Sequence, residues 1–134
     1  MMPKWAAFCA GALIAGCVSM GPAAPNLVGT SWHAESISGA PVSGNGPHIA
    51  FSADGRVTGN AGCNSMFAGY ETHGAAITIS NVGSTRMACA PPIMTQEQAF
   101  LRALAGAVRY DIAADGKLRL SAESGQNVVL APAP

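Results

Sequence analysis

From residue 27 onward the chain alternates short apolar runs with turn residues, a texture that predicts strands. Thr30-Ser31-Trp32-His33-Ala34-Glu35-Ser36-Ile37 alternates apolar and polar positions as a half-buried first strand would. Residues 47–51 and 56–59 form two further runs around Asp54-Gly55, and such a pair predicts a hairpin with positive φ at both central turn positions. Ala76-Ile77-Thr78-Ile79 predicts a fourth strand and residues 84–88 a fifth. Residues 108–112 and 117–120 flank Asp115-Gly116, a second hairpin of the same kind, and residues 127–130 predict the last strand.

One stretch changes period. Thr95-Gln96-Glu97-Gln98 fits a capping box, and Pro91-Pro92 just upstream is read as the stop of the preceding strand. Phe100, Leu101, Leu104 and Val108 then recur at helical spacing, with Glu97 and Arg102 expected to face water and Gly106 to end the helix. The fold expected is α+β: a small, curved, mostly antiparallel sheet of roughly seven or eight strands, a partly open barrel, with one main helix near residues 95–106.

Composition narrows the class. The chain has 134 residues, room for one ordinary domain. Its 49% hydrophobic content is too high for a disordered chain, while 16 Gly and 9 Pro make it rich in turns. Seven basic side chains balance seven acids and are scattered, so no basic face for nucleic acid is expected.

The N-terminus reads as targeting rather than fold. Lys4 precedes an apolar stretch from Trp5 to Ala15, too short to span a bilayer and suited to a secretory signal. Leu13-Ile14-Ala15-Gly16-Cys17 resembles a bacterial lipobox, so residues 1–16 are expected to be a lipoprotein signal peptide and Cys17 the lipidated N-terminus. The other reading is an ordinary cleaved signal beside an incidental cysteine. Acylation at Cys17 would supply a stable membrane anchor. By the same resemblance, Val18 in place of an aspartate after that cysteine favours the outer membrane of the cell envelope. Residues 17–26, with Gly21, Pro22 and Pro25, read as a flexible tether, and 27–131 as the folded domain.

Cleavage removes Cys9 and acylation occupies Cys17, which leaves Cys63 and Cys89. In an exported chain this even pair is read as a disulfide, closing a loop worth about 3.5 kcal/mol on the chain-entropy model. A redox pair or a metal site are the alternatives; no Cys-x-x-Cys and no short spacing to His48 or His73 supports them.

Catalytic patterns are not evident. His33, His48 and His73 are isolated, no serine sits in a Gly-x-Ser-x-Gly elbow, the carboxylates are dispersed, and no phosphate loop precedes a helix. No enzyme activity, metal or cofactor is expected. Asn64, after Gly62-Cys63, is a candidate either for structuring a tight turn or for lining a binding surface. Arg86, expected in a strand before Cys89, has a solvated or ion-paired reading and a ligand-recognition reading. Met66, Met87 and Met94 can fill a core or line an adaptable apolar groove.

The residues Gly59-x-Ala61-Gly62-Cys63-Asn64, Gly69-Tyr70, Thr85-Arg86-Met87-Ala88-Cys89 and Met94-x-x-Glu97 through Leu104 resemble the META domain, also called the HslJ-like family, over Leu27 to Leu130. The resemblance implies a small exported protein or lipoprotein with a disulfide between the family cysteines. It also implies associations with heat shock, antibiotic tolerance, secretion or motility, and no established catalytic residues. Similar folds have been likened to lipoprotein pilotins. The function expected is a non-enzymatic, lipid-anchored cell-envelope protein that supports envelope integrity or stress tolerance by binding a partner protein. The alternatives are a pilotin-like or lipid/peptide-carrier module with an apolar cavity and, on the disulfide-braced β-domain alone, an inhibitor of a hydrolase.

Overall fold

The computed structural model describes residues 24–134; the signal peptide, Cys17 and most of the tether expected from the sequence lie outside them. The strands are β1 (Ser31–Ile37), β2 (Ala40–Pro41), β3 (His48–Phe51), β4 (Arg56–Asn60), β5 (Ser65–His73), β6 (Ala76–Ser84), β7 (Ala107–Ile112), β8 (Leu118–Ala122) and β9 (Asn127–Pro132), with helix α1 (Pro91–Ala105) between β6 and β7. Every strand pairing is antiparallel. The order runs β1-β3-β4-β5-β6-β7-β8-β9, and β9 returns to β1, so the sheet closes into a barrel with β2 appended to β1. Closure leaves no free sheet edge except where a seam is weak. The weak seam is β6 to β7, joined by the single register pair Ala76 and Arg109 and by Tyr110 N–H donating to the Ala75 carbonyl at 3.0 Å.

Alternation places one face of each strand inside. Trp32, Ala34, Ile49, Phe51, Val57, Met66, Ile77, Ile79, Leu118, Leu120, Val128 and Leu130 are buried together, and Phe100 and Leu104 of α1 join them with no exposed surface. The interior is therefore a packed core, and the helix contributes to it. The apolar interior that a carrier would keep open is occupied by side chains. Phe51 meets Tyr70 edge to face, with ring centroids 4.9 Å apart, and the Tyr70 hydroxyl donates to the Ser52 carbonyl at 2.9 Å. Burial, with Asp54 and Tyr110 nearby, pushes the Tyr70 phenol up.

The hairpins at Asp54-Gly55 and Asp115-Gly116 form, with a different turn from the one expected. Only the glycines have positive φ, 82° at Gly55 and 83° at Gly116. Gly55 N–H donates to the Ser52 carbonyl and Ser52 N–H to the Arg56 carbonyl, a three-residue loop ending in a glycine bulge. Ala113–Lys117 repeats this pattern, and so does Ala122–Gln126 around Gly125, a turn the alternation did not mark.

Four further differences matter. β5, the long strand from Ser65 to His73, was not anticipated, because Gly69, Glu71 and Thr72 interrupt its apolar pattern. β6 continues through Ser84 past a bulge, where Asn81 has φ 55°, and residues 85–90 are irregular, so neither the expected strand at 84–88 nor Arg86 within a strand is observed. The helix starts at Pro91, one turn before Thr95, and no side-chain cap forms at its N-terminus. Prolines at N1 and N2 have no N–H to satisfy there, and the Ala90 carbonyl accepts from Ile93 and Met94 at 3.0 and 3.1 Å. Finally, Val108 lies in β7 and not on the helix.

The end of the expected tether is docked. Ala24 packs against the core, and the Tyr110 hydroxyl donates to the Pro25 carbonyl at 2.7 Å.

Candidate functional site

The sequence places glycine where the backbone must reverse after β4. Gly62 has φ 127°, a conformation that side-chain-bearing residues rarely adopt, and it turns the next two N–H groups toward the helix. Cys63 N–H and Asn64 N–H both donate to Glu97 Oε1, at 3.0 and 2.7 Å, and Asn64 Nδ2 donates to Glu97 Oε2 at 2.7 Å. Glu97, expected to face water, is 1% exposed. Burial works against the ionised carboxyl; the bonds from the Asn64 side chain, the Asn64 N–H and the Cys63 N–H outweigh it and hold its pKa below the ordinary glutamate value. The signal was present in the helical spacing: Glu97 stands three residues before Phe100 and seven before Leu104, on the buried stripe.

Asn64 is also 1% exposed. Its Oδ1 accepts from Met87 N–H at 2.6 Å and from the Thr85 hydroxyl at 2.9 Å, while Nδ2 also donates to the Met87 carbonyl at 3.2 Å. The side-chain amide thus uses both donor and acceptor ends. Asn64 does more than shape its own turn, since it clamps the crossing segment 85–90 against the turn and α1. The disulfide Cys63–Cys89, with Cα atoms 6.1 Å apart, ties the same segment a second time.

This frame holds up one wall of an open groove of about 560 Å³ between α1 and the run from Val82 to Ala88. Met94, Gln98, Leu101, Arg102 and Ala105 line the helix side. Met87 is 58% exposed, while Met94, Leu101 and Val82 are half-buried. Met66, by contrast, is in the core. Arg86 and Arg102 both line the groove and are exposed, and neither forms an ion pair among the described residues, where Lys117 pairs with Glu35 and Arg119 with Asp111. Asn64 reaches the groove only from beneath, so the structure brings Arg86, Met87 and Met94 to the surface and keeps Asn64 as their support. His33 and His48 are register partners on the exposed face of β1 and β3, far in the chain from His73. Among the described residues no group of three or more His, Cys, Asp or Glu is arranged to hold a metal.

A small disulfide-braced β-barrel, carrying one helix packed against β6, β1, β8 and β9, is the class these features define. The model of the META domain matches residues 25–134, and the chain belongs to that family. Among solved structures, an NMR structure of a protein from Burkholderia xenovorans is similar, with TM-score 0.66 and 21% identity over 91% of this chain and 98% of that one. A second NMR structure has TM-score 0.63 and 24% identity, covering 78% and 90%. A crystal structure of a DUF4847 family protein from Bacteroides vulgatus has TM-score 0.54 and 17% identity, covering 78% and 92%. At these identities the likeness is one of fold. No curated protein matches the chain.

Proposed function

We propose that this META domain is a non-catalytic, lipid-anchored binding module of the cell envelope, supporting envelope integrity or stress tolerance through a partner protein. The observation that carries the reading is the groove between α1 and residues 82–88, where Met87 is 58% exposed on a segment fixed twice, by a disulfide and by Asn64. A rigid frame presenting exposed and half-buried apolar side chains lowers the ordering cost of binding. Polarisable methionines suit a surface that adapts to a protein partner. The anchor at Cys17, in the outer membrane, would hold this groove close to the bilayer.

In cells, photo-crosslinking amino acids at Met87 and Gln98 are compared with one at Arg119, an exposed position of β8 that does not line the groove. Discrete crosslinked species from the first two positions and not from the third support the reading, when the intact mass of membrane-extracted protein also matches residues 17–134 plus acyl groups. An unacylated mass overturns the anchor, and identical crosslinking from all three positions overturns the groove.

A further inference from the structure

Outside the groove, two of the chain's three histidines stand directly opposite each other on a strand pair. His33 of β1 and His48 of β3 are register partners, and both are exposed. Ala34 N–H donates to the Pro47 carbonyl at 2.8 Å and Phe51 N–H to the Thr30 carbonyl at 2.9 Å. Bonded pairs alternate along an antiparallel ladder, so these two and Trp32–Ile49 between them are the bonded ones. His33–His48 is therefore a non-bonded pair, the kind whose Cα atoms lie about 4.5 Å apart and whose side chains stand closest. The backbone beneath them is fixed, because β1 lies between β3 and β9 and Ala133 N–H donates to the Ser31 carbonyl at 2.9 Å. Both histidines line one open concavity of about 460 Å³ with Glu35 and Asn45. Among the described residues neither forms an ion pair, whereas His73 lies 3.9 Å from Glu71. Alternation accepts any polar residue at these two positions, so exposure alone does not account for two imidazoles side by side.

We infer that His33 and His48 together bind a divalent late transition-metal ion, Zn²⁺ or Cu²⁺, at the barrel surface. Imidazole suits these ions, while Mg²⁺ and Ca²⁺ take oxygen ligands and are not held by such a pair. A tetrahedral ion with Zn–N bonds of about 2.0 Å holds two nitrogens roughly 3.3 Å apart. Rotation about the side-chain bonds of a non-bonded pair covers that span without moving either strand. Glu35 lines the same concavity, but its Oε1 lies 2.8 Å from Lys117 Nζ and is engaged there. The ligand set is thus two imidazoles, with the other positions left to water or to a donor from outside. A closed structural zinc site takes four protein ligands, so this one holds an exchangeable ion. Bridging the pair also ties β1 to β3, and an ion that binds only the native register stabilises the fold.

The test titrates Zn²⁺ into the membrane-extracted chain, without an affinity tag and with isotope-labelled histidine, in detergent. Saturation at one ion per chain is expected, with the imidazole resonances of His33 and His48 moving together and those of His73 staying in place. The thermal midpoint should rise with Zn²⁺, Cu²⁺ should displace the zinc, and Mg²⁺ should do neither. His33→Ala and His48→Ala should each weaken binding by at least about tenfold, the smallest loss that even an outer-shell partner of a metal brings. The two together should remove the rise in midpoint, and His73→Ala should leave binding unchanged. Both positions are exposed, so the variants are expected to keep the barrel, and their midpoints without metal check this. The imidazole resonances of the unsubstituted chain decide the question even if a variant folds poorly. The inference is overturned by the absence of saturable binding, by a response from one of the two histidines alone, or by zinc affinity unchanged in the alanine variants. An equal response to Mg²⁺ overturns it as well.

Discussion

Glu97 grips both ends of Asn64: its Oε1 accepts the Asn64 backbone N–H and its Oε2 the Asn64 side-chain amide, each at 2.7 Å. Through this one contact, helix α1 holds the turn after β4, and the turn holds the segment bearing Arg86 and Met87. The groove is shaped by a carboxylate buried in its lining, whose oxygens are taken up by the turn.

Replacing Glu97 with Gln tests the role of charge and acceptor count together. A glutamine side chain has one acceptor oxygen and one NH₂ group, so one end of Asn64 would meet a donor instead of an acceptor. Asn64 cannot flip to compensate, because its Oδ1 is committed to Met87 and Thr85. The expected cost is about 2–3 kcal/mol. Urea unfolding should show a lower midpoint with an unchanged slope. A midpoint equal to the parent's would remove Glu97 from the account of stability.

The same group predicts an acid limb. Its folded pKa lies below the ordinary glutamate value, because the Asn64 and Cys63 bonds outweigh the effect of burial. As pH falls, the unfolded chain therefore takes up the proton first. The stability due to Glu97 is fully present above the ordinary glutamate range and is lost as pH drops through the lowered folded value. Paired urea titrations of the parent and Glu97→Gln should converge as pH is lowered from about 7 to about 2. A gap that stays constant over this range would mean the carboxyl is not ionised in the fold.

Much of the barrel was legible in alternation. β1, β3, β4 and the β7–β8 hairpin fall within a residue or two of the expected positions, since each has one face in the core and one in water. β5 escaped because its second half, from Gly69 to His73, is partly or fully exposed, and a strand exposed on both faces has no period. The helix start escaped for a different reason: Pro91-Pro92 marks either the end of a strand or the first turn of a helix, and only the following contacts decide. Asn64 and Arg86 stand out in the sequence as candidates, but Glu97, which links the site together, reads there as a water-facing residue. Its partners lie 33 and 34 residues away in the chain, and no local pattern encodes them.

Two clamps on one segment should behave non-additively. Cys63→Ser with Cys89→Ser removes the disulfide, an expected loss of about 3.5 kcal/mol on the chain-entropy model. The segment stays docked through the bonds from Asn64 to Met87 and Thr85. Asn64→Ala alone leaves the disulfide to hold it. Removing both should cost more than the sum, with segment 85–90 released from the barrel only in the combined variant. A double-mutant cycle that closes to a simple sum would show the two clamps to be independent.

Two glycines separate a backbone constraint from a side-chain one. A Cβ on Gly59 would stand 2.0 Å from the His48 carbonyl oxygen and 2.8 Å from the Ile49 Cα, both backbone atoms of the strand β4 pairs with. Neither can move without parting β3 from β4, so Gly59→Ala should cost about 3 kcal/mol or more, or prevent folding. A Cβ on Gly83 would also be too close, 2.4 Å from Phe67 Cε1, but that atom is the far end of a ring that is 45% exposed. Phe67 can turn into water at small cost, so Gly83→Ala should lower stability by about 1 kcal/mol or less. Thermal unfolding of the two variants should differ clearly in midpoint. Similar losses would mean that Phe67 is held against Gly83 as firmly as the sheet is held together, and that β6 depends on this cross-strand cover. Because Gly83 lies on the wall of the groove, the tolerated variant also offers a mild way to alter that wall while leaving the barrel intact.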